Sequence, residues 1–197
     1  MRVTSPLGPS RTACSDCAVD TAAKVANAPL PAKSASCLQV LHSCEAMAAN
    51  GHHVELLSLQ NAQKFPLQST IDEVLGRPYA LTIRQLDEPR GRGLAPRAAL
   101  MQLGFIKRLR PDLIYTRSWA LAVAAALFGR KVVFESHMLL DPRRLKYRLA
   151  ALVFSRVPGL VRLVTTSQTL ADDWQLHFGI PAHKLCVAHN GASLPLP

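Results

Sequence analysis

Short apolar runs alternate along this chain with longer stretches in which apolar residues recur at helical spacing. Leu113-Ile114-Tyr115, after Pro111-Asp112, is a run of strand length. Ser118 stands where a helix N-cap belongs, Trp119 to Phe128 is an Ala/Leu/Val block of helical length, and Gly129 closes it. Lys131-Val132-Val133-Phe134 opens another strand. These pieces predict one β-α-β unit with a right-handed crossover between parallel strands.

The same alternation runs from end to end. Ala18 to Ala26, centred on Lys24-Val25-Ala26, is a weak first strand. Asn27 to Ser34 carries two prolines and is extended or turning. Ser36 is placed to cap a helix reaching about Asn50, with Leu38, Leu41, Cys44, Glu45, Met47 and Ala48 on one stripe, and His53 to Leu59 is a strand. Asn61 to Arg77 is irregular apart from a short helix around Ile71 to Leu75. Tyr79 to Leu86 is a third strand, Asp87 to Pro96 a loop, and Arg97 to Leu109 a helix. After the central unit come a helix over Arg143 to Val157, a strand over Leu160 to Thr165, a helix capped by Ser167 and reaching His177, and a short strand over Lys184 to Ala188. The prediction is an α/β fold: a doubly wound, mostly parallel sheet of about six to seven strands with helices on both faces.

In such a sheet ligands bind beyond the carboxyl ends of the strands. Two strands end in polar triplets, Thr116-Arg117-Ser118 and Glu135-Ser136-His137. Function is therefore expected at Arg117, Glu135 and His137.

The length, 197 residues with 49% hydrophobic, suits one domain with a real core. The net charge of +10 points to anionic partners: nucleic acid, an anionic membrane or phosphate-bearing substrates. No helix-turn-helix, zinc or aromatic RNA-binding pattern supports the first, and nucleic acid is not expected as a partner. The apolar run Trp119 to Phe128 is too short to span a bilayer, and the N-terminus has no signal-peptide pattern, so a cytoplasmic chain is the default. Cys14-Ser-Asp-Cys17 has metal or redox spacing but no second pair at zinc spacing, and it lies in a Ser/Pro/Gly-rich tail over residues 1–17. No G-x-G-x-x-G follows the first strand, which disfavours a dinucleotide dehydrogenase.

Taken together, several stretches resemble family-4 glycosyltransferases. They are Lys24-Val-Ala-Asn-Ala-Pro-Leu-Pro, Cys44-Glu-Ala-Met-Ala and Gly51-His-His-Val-Glu-Leu in the first half. In the second half they are Pro-Asp-Leu-Ile-Tyr-Thr-Arg-Ser, Val-Val-Phe-Glu-Ser-His, Val-Thr-Thr-Ser-Gln-Thr-Leu and Leu-Cys-Val-Ala-His-Asn-Gly191. The resemblance covers roughly residues 18 to 194. It implies a GT-B architecture of two Rossmann-like lobes, of which residues 18–191 resemble the N-terminal, acceptor-side one. Residues 192–197 then correspond to the start of the interdomain linker, the donor-binding second domain being absent: a truncated or split enzyme.

The resemblance further implies a retaining, hexosyl-type transfer from a nucleotide-sugar co-substrate to a hydroxyl acceptor, with no metal or other cofactor. It gives His137 the catalytic position facing the transferred sugar, against a plain surface-loop histidine. Glu135 either orients His137, binds a hydroxyl or is merely solvated. Arg117 reaches a phosphate or acceptor acid, or forms a structural ion pair. Asn27, Lys33 and Ser34 fall in the family's first strand-to-helix loop. That loop lacks glycine here, so acceptor contact by Lys33 or Ser34 replaces backbone phosphate binding. Asn190 and Gly191 match the turn before the linker, or are a plain Asn-Gly turn.

The helix over Arg143 to Val157 has Leu145, Leu149, Leu152 and Val153 as its apolar face. Arg143, Arg144, Lys146 and Arg148 make it either an ordinary amphipathic surface helix or one lying on an anionic membrane surface. Arg90, Arg92, Arg97, Lys107, Arg108 and Arg110 form a second basic zone. Peripheral attachment to the inner face of the membrane is the secondary expectation. The alternative to an enzyme lobe is a non-catalytic acceptor- or membrane-binding module derived from a glycosyltransferase.

Overall fold

The computed structural model describes residues 21–30, 35–60, 71–72, 75, 81, 83–86 and 94–189. Seven strands form one parallel sheet: β1 (Thr21–Leu30), β2 (His53–Gln60), β3 (Ile83–Leu86), β4 (Leu113–Thr116), β5 (Val132–Ser136), β6 (Leu160–Thr165) and β7 (Leu185–Val187). Their order is β3-β2-β1-β4-β5-β6-β7, so the winding reverses between β1 and β4. The helices are α1 (Ala35–Ala49), α2 (Leu94–Leu109), α3 (Trp119–Leu127), α4 (Leu145–Arg156) and α5 (Gln168–Phe178). This is the doubly wound sheet that the alternation predicts.

Right-handed crossovers place α1 on one face and α2 to α5 on the other, because the chain steps leftward in the first half and rightward afterwards. Two cores result. Cys37, Val40, Leu41 and Cys44 of α1 pack with Val54, Leu56 and Ile71 on one side. On the other, Ala99 and Ile106 of α2, the alanines of α3, Phe154 of α4 and Trp174 of α5 cover Ile114, Val132, Phe134 and Leu163. Phe134, Phe154, Trp174 and Phe178 form a chain of rings with centroids 4.9 to 6.5 Å apart.

Four local expectations are corrected. The first strand does not stop at Ala26; β1 runs to Leu30 and includes Asn27. Beyond Val25 it pairs only with β2, past an irregularity between Val25 and Pro29, so Pro29 stands where β1 has a single neighbour. Ser36 lies inside α1, which starts at Ala35. Leu94 to Pro96 are helical, not loop; Pro96 sits in the first turn of α2, where an N–H has no intrahelical acceptor to lose. The fourth concerns α4. It begins at Leu145, and the residues it buries are Ala150, Ala151 and Phe154, while Leu145, Leu149 and Leu152 face solvent. The small alanines let α4 approach the sheet closely, and Phe154 fills the space beside Phe134.

Candidate functional site

All strands being parallel, their carboxyl ends share one edge. There β4 and β6 both finish with a threonine bonded to the backbone of the serine two residues on, though in opposite senses. Thr116 Oγ1 accepts from the Ser118 amide at 3.1 Å, and Ser118 Oγ accepts from the Leu121 amide, starting α3. Thr165 Oγ1 donates to the Ser167 carbonyl, and Ser167 Oγ accepts from the Leu170 amide, starting α5. Each strand end is thus fixed to the helix that follows, and the residue between strand and cap, Arg117 in the first case, has a determined position.

Between these ends stands the tip of β5. Glu135 is buried, its side chain 7% exposed, and its Oε1 is the meeting point. Arg117 donates to it from Nη2 at 2.7 Å and His137 from Nε2, also at 2.7 Å. An ionised carboxylate only accepts, so the His137 proton that is shared sits on Nε2. Nδ1 makes no hydrogen bond among the described residues, and the His137 side chain is 31% exposed. The Arg117 Nε is buried without a hydrogen-bond partner among the described residues.

Tyr115, from the side of β4 that also carries Arg117, joins this group. Burial raises its phenol far above the usual tyrosine range. The Glu135 charge and a hydrogen bond to Glu135 raise it further, and Arg117 offsets this in part. The loop beyond β5 is braced from below: Trp174 Nε1 donates to Ser136 Oγ at 3.1 Å, and Ser136 Oγ donates to the Met138 carbonyl at 2.7 Å. His137 is held between the two ends of that brace.

Of the expected site residues, the structure brings Arg117, Glu135 and His137 into one cluster beside the β1/β4 reversal. Asn27 is in β1 rather than in a loop. Lys33, Ser34, Asn190 and Gly191 lie outside the described residues, as do Cys14, Cys17, Arg90 and Arg92. Tyr115, Ser136 and Trp174 were not singled out by sequence. Period-two alternation from Arg117 points to Tyr115, but nothing local links Trp174 to Ser136 across 38 positions.

The arrangement presents one carboxylate oxygen shared by Arg117 and His137, with the second imidazole nitrogen without a hydrogen bond among the described residues. It can bind hydroxyls and phosphate oxygens.

The family model described as Glycosyltransferase Family 4 matches residues 39–194. Among solved structures, Anabaena Alr3699/HepE in complex with UDP is similar at a TM-score of 0.59 and 13% identity, over 87% of this chain and 44% of that one. The UDP-GlcNAc 2-epimerase from Methanocaldococcus jannaschii is similar at 0.60 and 14%, over 85% of this chain and 45% of that one. Identities this low speak for the fold alone. The chain spans less than half the length of these structures. Comparison with curated proteins gives no match.

Proposed function

The chain belongs to Glycosyltransferase Family 4, and from that membership we propose that it forms one lobe of a sugar-transferring enzyme. The lobe is the acceptor-side wall of a cleft, and a second, donor-binding domain supplies the opposite wall. The observation that carries this reading is the Glu135 carboxylate gripping Arg117 and His137 at the strand-tip edge, next to the point where the winding reverses.

In this reading a hydroxyl acceptor and a nucleotide-sugar meet over His137. The bond from the anomeric carbon to the donor phosphate breaks and one to the acceptor oxygen forms. The acceptor proton leaves with the phosphate, and the anomeric configuration is retained. His137, its ring oriented by Glu135, binds a hydroxyl of the transferred hexosyl group through Nδ1. Arg117 offsets phosphate charge near the cleft. Catalysis is positioning and charge stabilisation, without a protein nucleophile or a metal. Lys33, Ser34 and Asn190-Gly191 border the same cleft in this proposal, and the acceptor stands at an anionic membrane surface.

The test is nucleoside diphosphate release from a panel of nucleotide-sugars, by this lobe joined to the domain that completes it. His137→Ala is expected to lower turnover by about a hundredfold or more while the variant still folds, with a melting temperature only a few degrees below the parent, roughly what losing one hydrogen bond to Glu135 costs. Unchanged turnover in that variant removes His137 from the chemistry. Release with no dependence on an acceptor removes the transfer.

A further inference from the structure

Helix α4 has two apolar sides. Ala150, Ala151 and Phe154 are buried against the sheet, but Leu145, Leu149 and Leu152 stay 68%, 53% and 43% exposed. At about 100° per residue these leucines fall on one line down the helix, diametrically opposite the buried side. Arg156 continues the line, and Lys146 and Arg148 flank it. Arg143 and Arg144 stand at its start, where Asp141 is already engaged, accepting from the Arg143 amide at 3.0 Å and from Arg144 at 3.2 Å. Lys146 is drawn over the Tyr147 and Trp119 rings, which meet edge to face at 5.2 Å.

An ordinary surface helix turns its polar side outward; this one turns out leucine and arginine together. The wider surface agrees. Among the described residues, every exposed large apolar side chain except Met138 belongs to the α2–α5 layer or its caps, as Leu100, Leu127, Phe128 and Leu176 join the α4 leucines. Leu100 and Phe128 also line a groove of about 320 Å³ together with Lys107 and Arg130.

We propose that the outward side of α4 lies in the plane of an anionic lipid bilayer. Its leucines enter the boundary between headgroups and acyl chains, and Arg143, Arg144, Arg148 and Arg156 contact headgroup phosphates. No described helix is long and apolar enough to cross a membrane, so this is an in-plane contact. A second copy of the chain is the poorer occupant, because a two-fold contact through α4 sets arginines against arginines. The loop from His137 to Arg144 leads directly into α4. The proposal gives a hydrophobic anchor to the membrane location in the functional reading, and its test does not depend on sugar transfer.

The full chain is to be co-sedimented with vesicles of phosphatidylcholine alone and of phosphatidylcholine with an equal part of phosphatidylglycerol. Binding to the mixed vesicles at least about tenfold tighter, and weakened by salt, is expected. The triple variant L145S/L149S/L152S is expected to bind the mixed vesicles about tenfold or more weaker with an unchanged thermal melt. R143Q/R144Q/R148Q is expected to lose about fivefold per charge. Three results overturn the proposal: no binding to anionic vesicles, binding indifferent to the leucine variant, or a solution oligomer that the leucine variant turns into a monomer. If vesicle binding holds while sugar transfer fails, only the catalytic reading falls.

Discussion

Glu135 Oε1 stands 2.7 Å from His137 Nε2, two residues further along the chain. The contact exists because β5 ends at Ser136, so the chain turns and folds the imidazole back over the carboxylate instead of continuing the pleat. The same oxygen receives Arg117, which makes the carboxylate the organiser of the cluster rather than a bystander.

Glu135→Gln is therefore expected to do more harm than an ordinary neutral substitution. It keeps the shape but removes the charge that Arg117 faces, and it leaves a partly buried guanidinium without its counter-ion. A loss of roughly 1–3 kcal/mol in urea unfolding is expected. In the completed enzyme, turnover should fall about 10–100-fold, as when an orienting partner is lost. Glu135→Ala should be at least as damaging. An unfolding curve indistinguishable from the parent shows that the grip is not formed in solution.

Tyr115 carries the alkaline limit of this cluster. Its folded pKa is raised above the unfolded value of about 10. From about pH 10 upward the unfolded chain loses the phenolic proton while the folded one keeps it. The folded state then binds more protons, so stability falls as pH rises through that window. Tyr115→Phe removes this group's contribution to the dependence. It should also remove the latest-titrating part of the tyrosinate absorbance, and a parent spectrum whose tyrosines all titrate normally refutes the placement.

Ser136→Ala tests the brace under His137. It leaves the Trp174 indole N–H without its acceptor at the bottom of a buried ring cluster, and it releases the Met138 carbonyl. A loss of about 1–3 kcal/mol is expected in unfolding experiments. The His137 ring should show broadened NMR resonances. Trp174→Phe loses the same donor and some ring volume, so its cost should exceed that of Ser136→Ala.

The alternating pattern reveals the sequence of strands and helices, because the units around α3 and α5 carry their own start and stop signals: Ser118 and Gly129, Ser167 and Gly179. The Ser118 and Ser167 side chains cap α3 and α5, and Gly179 adopts a left-handed φ of 64° where α5 ends. The place where the winding reverses, between β1 and β4, is not in that pattern and comes only with the strand order. What pattern alone misreads is direction. On α4, Leu145, Leu149 and Leu152 are a better-spaced apolar stripe than Ala150, Ala151 and Phe154, yet the alanines go inside because small residues permit close packing on the sheet. Periodicity tells that a helix has an apolar side, not which of two sides meets the core. Likewise Pro29 looks like a strand terminator until the sheet order shows β1 with one neighbour at that point.

Gly159 supplies a last and sharper case. It lies before β6, where the chain leaves α4 and passes over the end of α3, and its carbonyl accepts from the Val132 amide at 2.8 Å. A methyl group built there meets the Ala126 and Arg130 carbonyl oxygens at 2.8 Å and the Ala126 Cα at 2.9 Å. All three are backbone atoms, so no side-chain rotation relieves the overlap. Either β6 withdraws from β5, loosening the ladder that carries Glu135, or the end of α3 unwinds. Gly159→Ala should cost about 1–3 kcal/mol. For a chain of this size that is a fall of roughly 3–10 °C in melting temperature. Because the shift is transmitted along β5, His137 resonances should move although the substitution is at the opposite edge of the sheet. A Gly159→Ala protein that melts with the parent would mean that the close approach of β6 to α3 does not exist.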